Sequence, residues 1–448
     1  MRSPGRTSRG NVGKARGEAI TRGRSFHPVC ARCPVAWAIV LPRRRMEPVF
    51  RRAFNSAFGP NTYADFMQRF EKRVGTSIAY RVAETPLFLP ENLRAYLSRS
   101  ATEIVQQISR PDVIAKMKKA IPAHVDTPGM DHLPNCVQVD FAIVRGPTGE
   151  LEGRVVELQA FPSLYALMVA QTDVMAEVMK EMPGLDRNWS IYFGGLNREQ
   201  FLDRLRHVVL AGEDPSSVVL LDIDPPNQKT YPDFLITKEF VGIDPVCPTT
   251  LIKDGRKLFR KVDGKLVQVR RIYNRVVFDE LEVRKIQLPF DYRDELDITW
   301  VSHPNWYWTW SKYTLPYIDH PAVPRARYLS DVTEIPADLE RYVLKPLFSF
   351  AGSGVKVDPM PEDVRSVPDE QRSGWLLQEK ITYEPGLVMP DGNGVKAEVR
   401  MMFLRAPEEE SPRLALNLVR LSRGKMLGVD QNKNFTWVGG SIGIWPAD

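Results

Sequence analysis

The spacing of apolar residues changes period several times along the chain, and each change marks an element. Residues 46–130 repeat at three- and four-residue intervals. Tyr63-Ala-Asp-Phe-Met-Gln-Arg-Phe predicts one helix, and Pro90-Glu-Asn-Leu-Arg-Ala-Tyr-Leu, with proline in the first turn, opens a second pattern carried on by Ser100 to Ile108. Period two then takes over. Gln138-Val-Asp-Phe-Ala-Ile-Val alternates, turns through Gly146-Pro-Thr-Gly149 and returns as Arg154-Val-Val-Glu-Leu-Gln, a hairpin signature. Residues 190–290 mix the two periods: a short strand at Ile191-Tyr-Phe, a helix over Arg198–Val208, a buried strand at Val218-Val-Leu-Leu-Asp-Ile, and tight turns at Asp254-Gly255 and Asp263-Gly264. Farther on, Tyr342-Val-Leu-Lys-Pro runs into a small-residue loop, Ser349 to Gly354, and alternation resumes at Val355. Three more alternating strands follow, at Leu376–Ile381, Val395–Phe403 and Leu414–Gly424, before a second small-residue loop around Val438-Gly-Gly-Ser441.

Composition changes this picture at one end only. The chain has 448 residues, 43% of them hydrophobic, long enough for two or three domains. Its net charge of +6 is misleading, because residues 1–45 carry eleven Lys/Arg against Glu18 alone and leave 46–448 at −4. The folded part is mildly acidic, which gives no support to nucleic-acid binding. The basic stretch reads as a disordered extension or as sequence upstream of a true start at Met46, with a targeting peptide as a further reading. Its apolar run, Val35–Leu41, is too short to span a bilayer. Cys30 and Cys33 form one Cys-x-x-Cys without a second pair at zinc spacing, and Cys136 and Cys247 stand alone. That pattern points to a reducing, cytoplasmic setting with no disulfide framework. The expected organisation is therefore 1–45 as the extension, 46–189 as a helical region plus the first hairpin, 190–290 as an inserted α/β unit, and 291–448 as a third segment.

Several residues could carry chemistry, each beside a plainer reading. If Val156 and Leu158 face inward, Glu157 and Gln159 project together on the other face, and two oxygen donors so placed suit Mg²⁺. The plainer alternative is a strand with one solvated face. Asn227 and Gln228 follow the carboxyl end of the buried strand, the usual ligand side of such sheets. Arg275 could grip a phosphate or carboxylate bidentately, or pair at the surface with Asp279 or Glu280. The aromatic run at 300–312 holds four of the nine tryptophans and reads as core, with His303 a structural hydrogen-bonder and Lys312 at its end. Glu398 and Arg400 share a face opposite Val399, Met401 and Phe403. The stretch 342–357 is either a plain hairpin or a lid whose loop amides and Lys345 close over phosphate.

Taken in running order, Lys312, Lys345-Pro before a glycine loop, Gln378-Glu-Lys-Ile and Glu398 resemble the nucleotide site of ATP-grasp proteins. In most of that superfamily the acidic metal strand follows these elements. Here the strand similar to it, Val-Val-Glu157-Leu-Gln159 with Asp140-Phe upstream, precedes them. That order resembles the circularly permuted branch, with eukaryotic-type glutathione synthetase the nearest pattern and the glutathionylspermidine synthetase ligase domain a second relative. The likeness runs patchily from about residue 135 to 445. It implies an α/β (α+β) permuted ATP-grasp fold with an inserted Rossmann-like substrate-binding unit and a helical N-terminal region.

Position by position, the resemblance makes Lys312 and Lys345 the lysines on ATP phosphates, and Ser349, Gly352, Ser353 and Gly354 the loop closing over them. Gln378, Glu379, Lys380 and Ile381 become the adenine hinge, Glu398 the ribose acid, and Glu157 with Gln159 the Mg²⁺ ligands. Arg275, Arg420 and Arg400 become the catalytic arginines. Gly439 and Gly440 fall to the substrate loop; Asp140, and Asn227 and Gln228 after the central strand of the inserted unit, are further candidates for substrate binding. Four positions depart from the synthetase pattern: Gln159 replaces an asparagine, Gln138 an arginine, Ser349 a metal-binding glutamate and Ser422 a lysine. The implied activity is an ATP- and Mg²⁺-dependent ligation of a small-molecule carboxylate to an amine through an acyl phosphate, by a homodimer. A phosphoryl transferase and a nucleotide-binding module without turnover are the alternatives. No Ser-His-Asp or Cys-His arrangement competes.

Overall fold

Alternation in four long segments builds the sheet on which the rest of the molecule is arranged. A computed structural model describes residues 48–348, 354–424, 432 and 434–447. The basic stretch 1–45, with Cys30 and Cys33, and the loop residues Ser349, Gly352 and Ser353 lie outside the described residues. The central sheet is six-stranded, in the order Gly439–Ser441, Arg413–Ser422, Gly394–Leu404, Cys136–Arg145, Leu151–Gln159, with Leu387–Val388 also on Gly394–Leu404. All its pairings are antiparallel. Early and late parts of the chain thus interleave in one sheet, because Cys136–Arg145 pairs with Gly394–Leu404 in the register Arg400↔Asp140.

One face of this sheet is apolar. Val139, Phe141, Ile143, Val399, Met401, Phe403 and Val419 are fully buried there. Each contributes roughly 1.5–3 kcal/mol by leaving water. Helices Glu91–Ile108 and Tyr165–Lys180 pack on the sheet. The helical reading of the N-terminal region holds in Thr62–Val74 and Glu91–Ile108, with Pro90 one position earlier than expected, at the N-cap. The other face carries Asp140, Glu398 and Arg400, also buried, so something covers it too.

The cover is a second, four-stranded antiparallel sheet in the order Ala326–Tyr328, Trp375–Glu379, Tyr342–Pro346, Lys356–Val357. Its outer face holds Leu344 and Leu377 against Leu329, Leu339, Val364 and Val367. Strand alternation then turns Val343, Lys345, Leu376 and Gln378 inward. The hairpin expected at 342–357 is present, with Val343 opposite Val357.

A third sheet is wholly parallel, in the order Thr299–Val301, Arg271–Asn274, Val218–Leu221, Asp244–Val246. The α/β reading of 190–290 holds in these strands and in helices Arg198–Leu210 and Tyr231–Val241, although the fourth strand comes from beyond residue 290. The strand expected at Ile191-Tyr-Phe falls instead at Trp189–Ser190 and pairs with Gly443–Pro446 in another sheet. The Asp263-Gly264 turn joins Lys257–Val262 to Lys265–Val269, with φ of 48° and 78° at its two residues, the left-handed pair a tight hairpin demands. The tryptophan-rich run is core: Trp306 and Trp310 are fully buried. His303 is structural, its ring bonded to the Pro128 carbonyl at 3.1 Å and to the Asn305 amide at 3.2 Å.

Candidate functional site

Between the polar face of the central sheet and the inner face of the cover sheet, charged side chains converge. Register places the first of them: Asp140 lies opposite both Glu157 and Arg400, and Glu398 opposite Arg420. The hairpin strand departs from simple alternation here. A bulge after Asp140 makes Val155, not Val156, the core partner of Leu158. Glu157 and Gln159 still share a face, and Gln159 Nε2 donates to Glu157 Oε1 at 2.8 Å.

Asp140 is the hub. Arg400 grips it bidentately, with Nε to Oδ1 at 2.6 Å and Nη2 to Oδ2 at 2.8 Å, and Arg420 Nη2 donates to the same Oδ2. Burial drives the Asp140 carboxyl up, but Arg400 and Arg420 outweigh it and hold the acid below its usual range. Arg420 Nη2 also lies 3.0 Å from Glu398 and 3.8 Å from Glu157. Glu398 accepts in addition from the Tyr383 hydroxyl. Its own carboxyl is pushed up, by burial first, against the pull of Arg420. Nothing in the sequence pattern singled out Tyr383.

From the cover sheet, Lys345 reaches the Val156 carbonyl at 3.4 Å. Burial lowers its ammonium to about 8, with Glu157 raising it and the nearby Lys312 adding to the depression. Lys312 is buried at the start of the turn Lys312–Tyr317, just past the tryptophans. Gln378, 1% exposed, shares the inner face with Lys345, and among the described residues neither its amide nitrogen nor its oxygen has a hydrogen-bond partner. A buried amide left so costs about 1–3 kcal/mol, which a ligand with a donor and an acceptor would relieve.

The structure thus brings together Asp140, Glu157, Gln159, Lys312, Lys345, Gln378, Glu398, Arg400 and Arg420. Other expected residues are engaged elsewhere. Glu379 accepts from the Arg325 amide at 3.2 Å and Lys380 pairs with Asp358, so both hold the rim of the cover sheet, with Ile381 following them. Gly354, at φ 74°, closes the hairpin against Pro346. Asn227 donates to Asp224 at 2.9 Å and Gln228 to the Ile223 carbonyl at 2.7 Å, so both amides brace their own loop. Gly439 and Gly440 sit in a strand rather than a loop. A Cβ on Gly439 would come within 2.2 Å of the Arg81 carbonyl, so the glycine is there for backbone approach.

Arg275 is 3% exposed and so is not the surface pair its alternative reading required. It donates to Asp233 at 2.5 Å and lies over the Phe161 and Phe234 rings. Asp233 in turn accepts from the Leu164 and Leu167 amides, tying the parallel sheet to helix Tyr165–Lys180. No sequence pattern linked Asp233 to this arginine, because the two meet only through tertiary packing. A separate open cavity of about 500 Å³, lined by residues such as Arg271, Trp300, His303 and Arg405, contains none of the converging residues. We take the cleft between the sheets as the candidate site, since it combines buried cations with an amide unsatisfied at both its nitrogen and its oxygen.

The expected Mg²⁺ pair does not fit that ion. Gln159 directs its amide N–H at Glu157, Asp140 is held by two arginines, and Glu398 by Tyr383 and Arg420. Among the described residues no three Asp, Glu, His or Cys side chains converge as a metal-ligand group. Mg²⁺ requires near-octahedral oxygen donors, and Asp140 and Glu398 already accept from arginine and tyrosine. Nor is any helix among the described residues long and apolar enough to cross a membrane.

No protein-family model matches the chain, and no curated protein matches it. Among solved structures, a glutathione synthetase-like effector from Globodera pallida, in its apo form, superposes with a TM-score of 0.55 at 11% identity. The match covers 81% of this chain and 93% of that chain. At that identity the likeness concerns the fold, a mixed α+β architecture of several sheets.

Proposed function

We propose that the chain binds ATP between its two antiparallel sheets and activates a small-molecule carboxylate for attack by an amine, as a permuted ATP-grasp ligase. The observation that carries this reading is the inner face of the cover sheet, where Lys345 and the unsatisfied Gln378 amide face the polar side of the central sheet. Gln378 would meet the donor and acceptor edge of adenine. Lys345 and Lys312 would neutralise the β- and γ-phosphates, with Arg420 adding positive charge nearby. The substrate carboxylate oxygen attacks the γ-phosphorus, the bond to the ADP oxygen breaks, and an acyl phosphate forms. The amine nitrogen then attacks the acyl carbon, phosphate leaves, and the amine loses a proton. Arg400, locked on Asp140, positions that acid rather than touching the reacting atoms. The fold likeness to a glutathione synthetase-like effector supports the ligase class and is silent on the substrate.

Hydroxylamine tests the reading, because it traps an acyl phosphate as a hydroxamate. Incubation with ATP and a panel of amino-acid and polyamine-derived carboxylates should give hydroxamate and ADP together. Lys345→Ala should abolish nucleotide binding. Lys356→Ala, exposed and paired at 3.7 Å with Asp363, should change it little. Equal effects of the two would mean that the wrong lysine has been chosen. Nucleotide binding without ADP release across the panel would favour a second reading, a binding protein without turnover. The engagement of Asp140, Glu157 and Glu398 by arginine supports that alternative.

A further inference from the structure

Arg420 reaches acids on three other strands of the site. Its strand, Arg413–Ser422, is separated from Cys136–Arg145 by Gly394–Leu404. The guanidinium must therefore cross a whole strand, roughly two spacings of 4.8 Å, to touch Asp140. It does so along the polar face, over Glu398. The outcome is unusual for a surface-type ion pair: one nitrogen, Nη2, is in ion-pair contact with carboxylate oxygens of Asp140, Glu398 at 3.0 Å and Glu157 at 3.8 Å. Those acids come from three different strands. Asp140 and Glu398 are nearly inaccessible, at 1% and 4% exposure, so their charges have no recourse to water. Three carboxylates gathered around one point, two of them buried, need positive charge there to offset them. In this chain the point is filled by a guanidinium nitrogen.

We propose that Arg420 is the resident cation of this site, standing where a divalent ion would otherwise sit, so that phosphate binding in the cleft does not depend on a divalent metal. The proposal rests on the nucleotide reading given above. The surrounding residues agree with it. Gln159 is turned to donate to Glu157 Oε1, the same oxygen that lies 3.8 Å from Arg420. The Tyr383 hydroxyl likewise donates to the Glu398 oxygen that Arg420 does not take. Asp140 and Glu398 have donors on both oxygens, the arrangement suited to a fixed organic cation and ill suited to a metal that needs those lone pairs.

Two measurements test the proposal, and the second does not require nucleotide to bind. Titration of ATP into the full chain should give the same affinity within about threefold in excess EDTA and in excess Mg²⁺. An affinity lost in EDTA would overturn the proposal, whereas no binding in either buffer would count against the nucleotide reading and leave the decision to the second measurement. Titration with Mn²⁺ alone, followed by electron paramagnetic resonance of the free ion, should detect no stoichiometric site in the unaltered protein. Arg420→Met, which empties the point while keeping its apolar bulk, should gain a Mn²⁺ site that Glu398→Gln in the same background removes. Stoichiometric Mn²⁺ in the unaltered protein, abolished by Glu157→Gln, would refute the assignment even if Arg420→Met failed to fold. A folded Arg420→Met without Mn²⁺ affinity would refute it equally.

Discussion

Replacing Lys345 by methionine should make the protein more stable while abolishing the nucleotide binding proposed for the cleft. The lysine is 9% exposed, and burial lowers its ammonium from 10.5 to about 8. That difference corresponds to roughly 3 kcal/mol of extra cost for keeping the charge in the folded site. Below pH 8 both folded and unfolded chains carry the proton, so the whole penalty is felt. Between pH 8 and 10.5 the unfolded chain binds the extra proton, stability therefore rises with pH, and above 10.5 the penalty is gone. Methionine keeps the length and apolar stem without the charge. Urea unfolding at pH 7 should show Lys345→Met about 1–3 kcal/mol more stable than the parent, with the gap closing as pH rises toward 10.5; measuring parent and variant side by side cancels other titrations. Calorimetric titration at pH 7 should show that the variant no longer binds ATP. A variant less stable than the parent at pH 7, or a gap that does not narrow with pH, would mean that Lys345 is held by favourable contacts and is not kept for a ligand.

Other substitutions probe neighbouring features. Gln378→Leu removes a buried amide that has no partner, so stability should be unchanged or up by about 1 kcal/mol, and ATP affinity should fall about tenfold in calorimetry. Gly439→Ala places a Cβ 2.2 Å from the Arg81 carbonyl at φ 116°, and should cost 3 kcal/mol or more in urea unfolding, on the order expected for forced backbone strain. Asp222, 4% exposed at the end of strand Val218–Leu221, is pushed up to about 7 by burial, with Arg275 pulling it back. Its proton is held in the folded state, so its contribution is present below the unfolded value near 4 and is lost as pH rises through 7. Asp222→Asn should flatten that decline, a difference of roughly 4 kcal/mol at pH 8 seen by urea unfolding.

The long strands were legible because alternation over ten residues leaves little choice of face. Glu398 and Arg400 could be assigned to one side of Gly394–Leu404 from Val399, Met401 and Phe403 alone. A short irregularity defeated the same logic in the hairpin. The extra residue at the bulge moved Val156 off the core face, and no residue type there announces it. Gln378 stands out as a candidate in the sequence only through the family pattern. Alternation with Leu376 explains afterwards why it turns inward and why Glu379, next to it, does not. The Val438-Gly-Gly-Ser stretch read as a loop because small polar residues usually mark one. Its glycines instead let the Arg81 backbone lie beside a strand, a demand set by a segment distant in sequence.

Position 138 shows how a departure can be absorbed by the fold. The resemblance to glutathione synthetases leads one to expect an arginine there, beside Asp140, and the chain has glutamine. Its Nε2 donates to the Ser163 carbonyl at 3.0 Å, and Gln138 gives Asp140 no charge. Leaving that buried acid uncompensated would cost several kcal/mol. The counter-charge comes from neighbouring strands, bidentately from Arg400 and at longer reach from Arg420. Position 422, expected to be lysine, follows the same logic: Ser422 is buried and bonds Asn432 at 3.0 Å, so no ammonium is missing from a waiting partner. With both cations absent, Arg420 serves Asp140, Glu157 and Glu398 together. Sequence comparison alone treats Gln138, Ser422 and Arg420 as three unrelated observations. Strand register makes them one, since only the pairing of Glu398 with Arg420 and of Arg400 with Asp140 brings the remaining positive charge to the acids that need it.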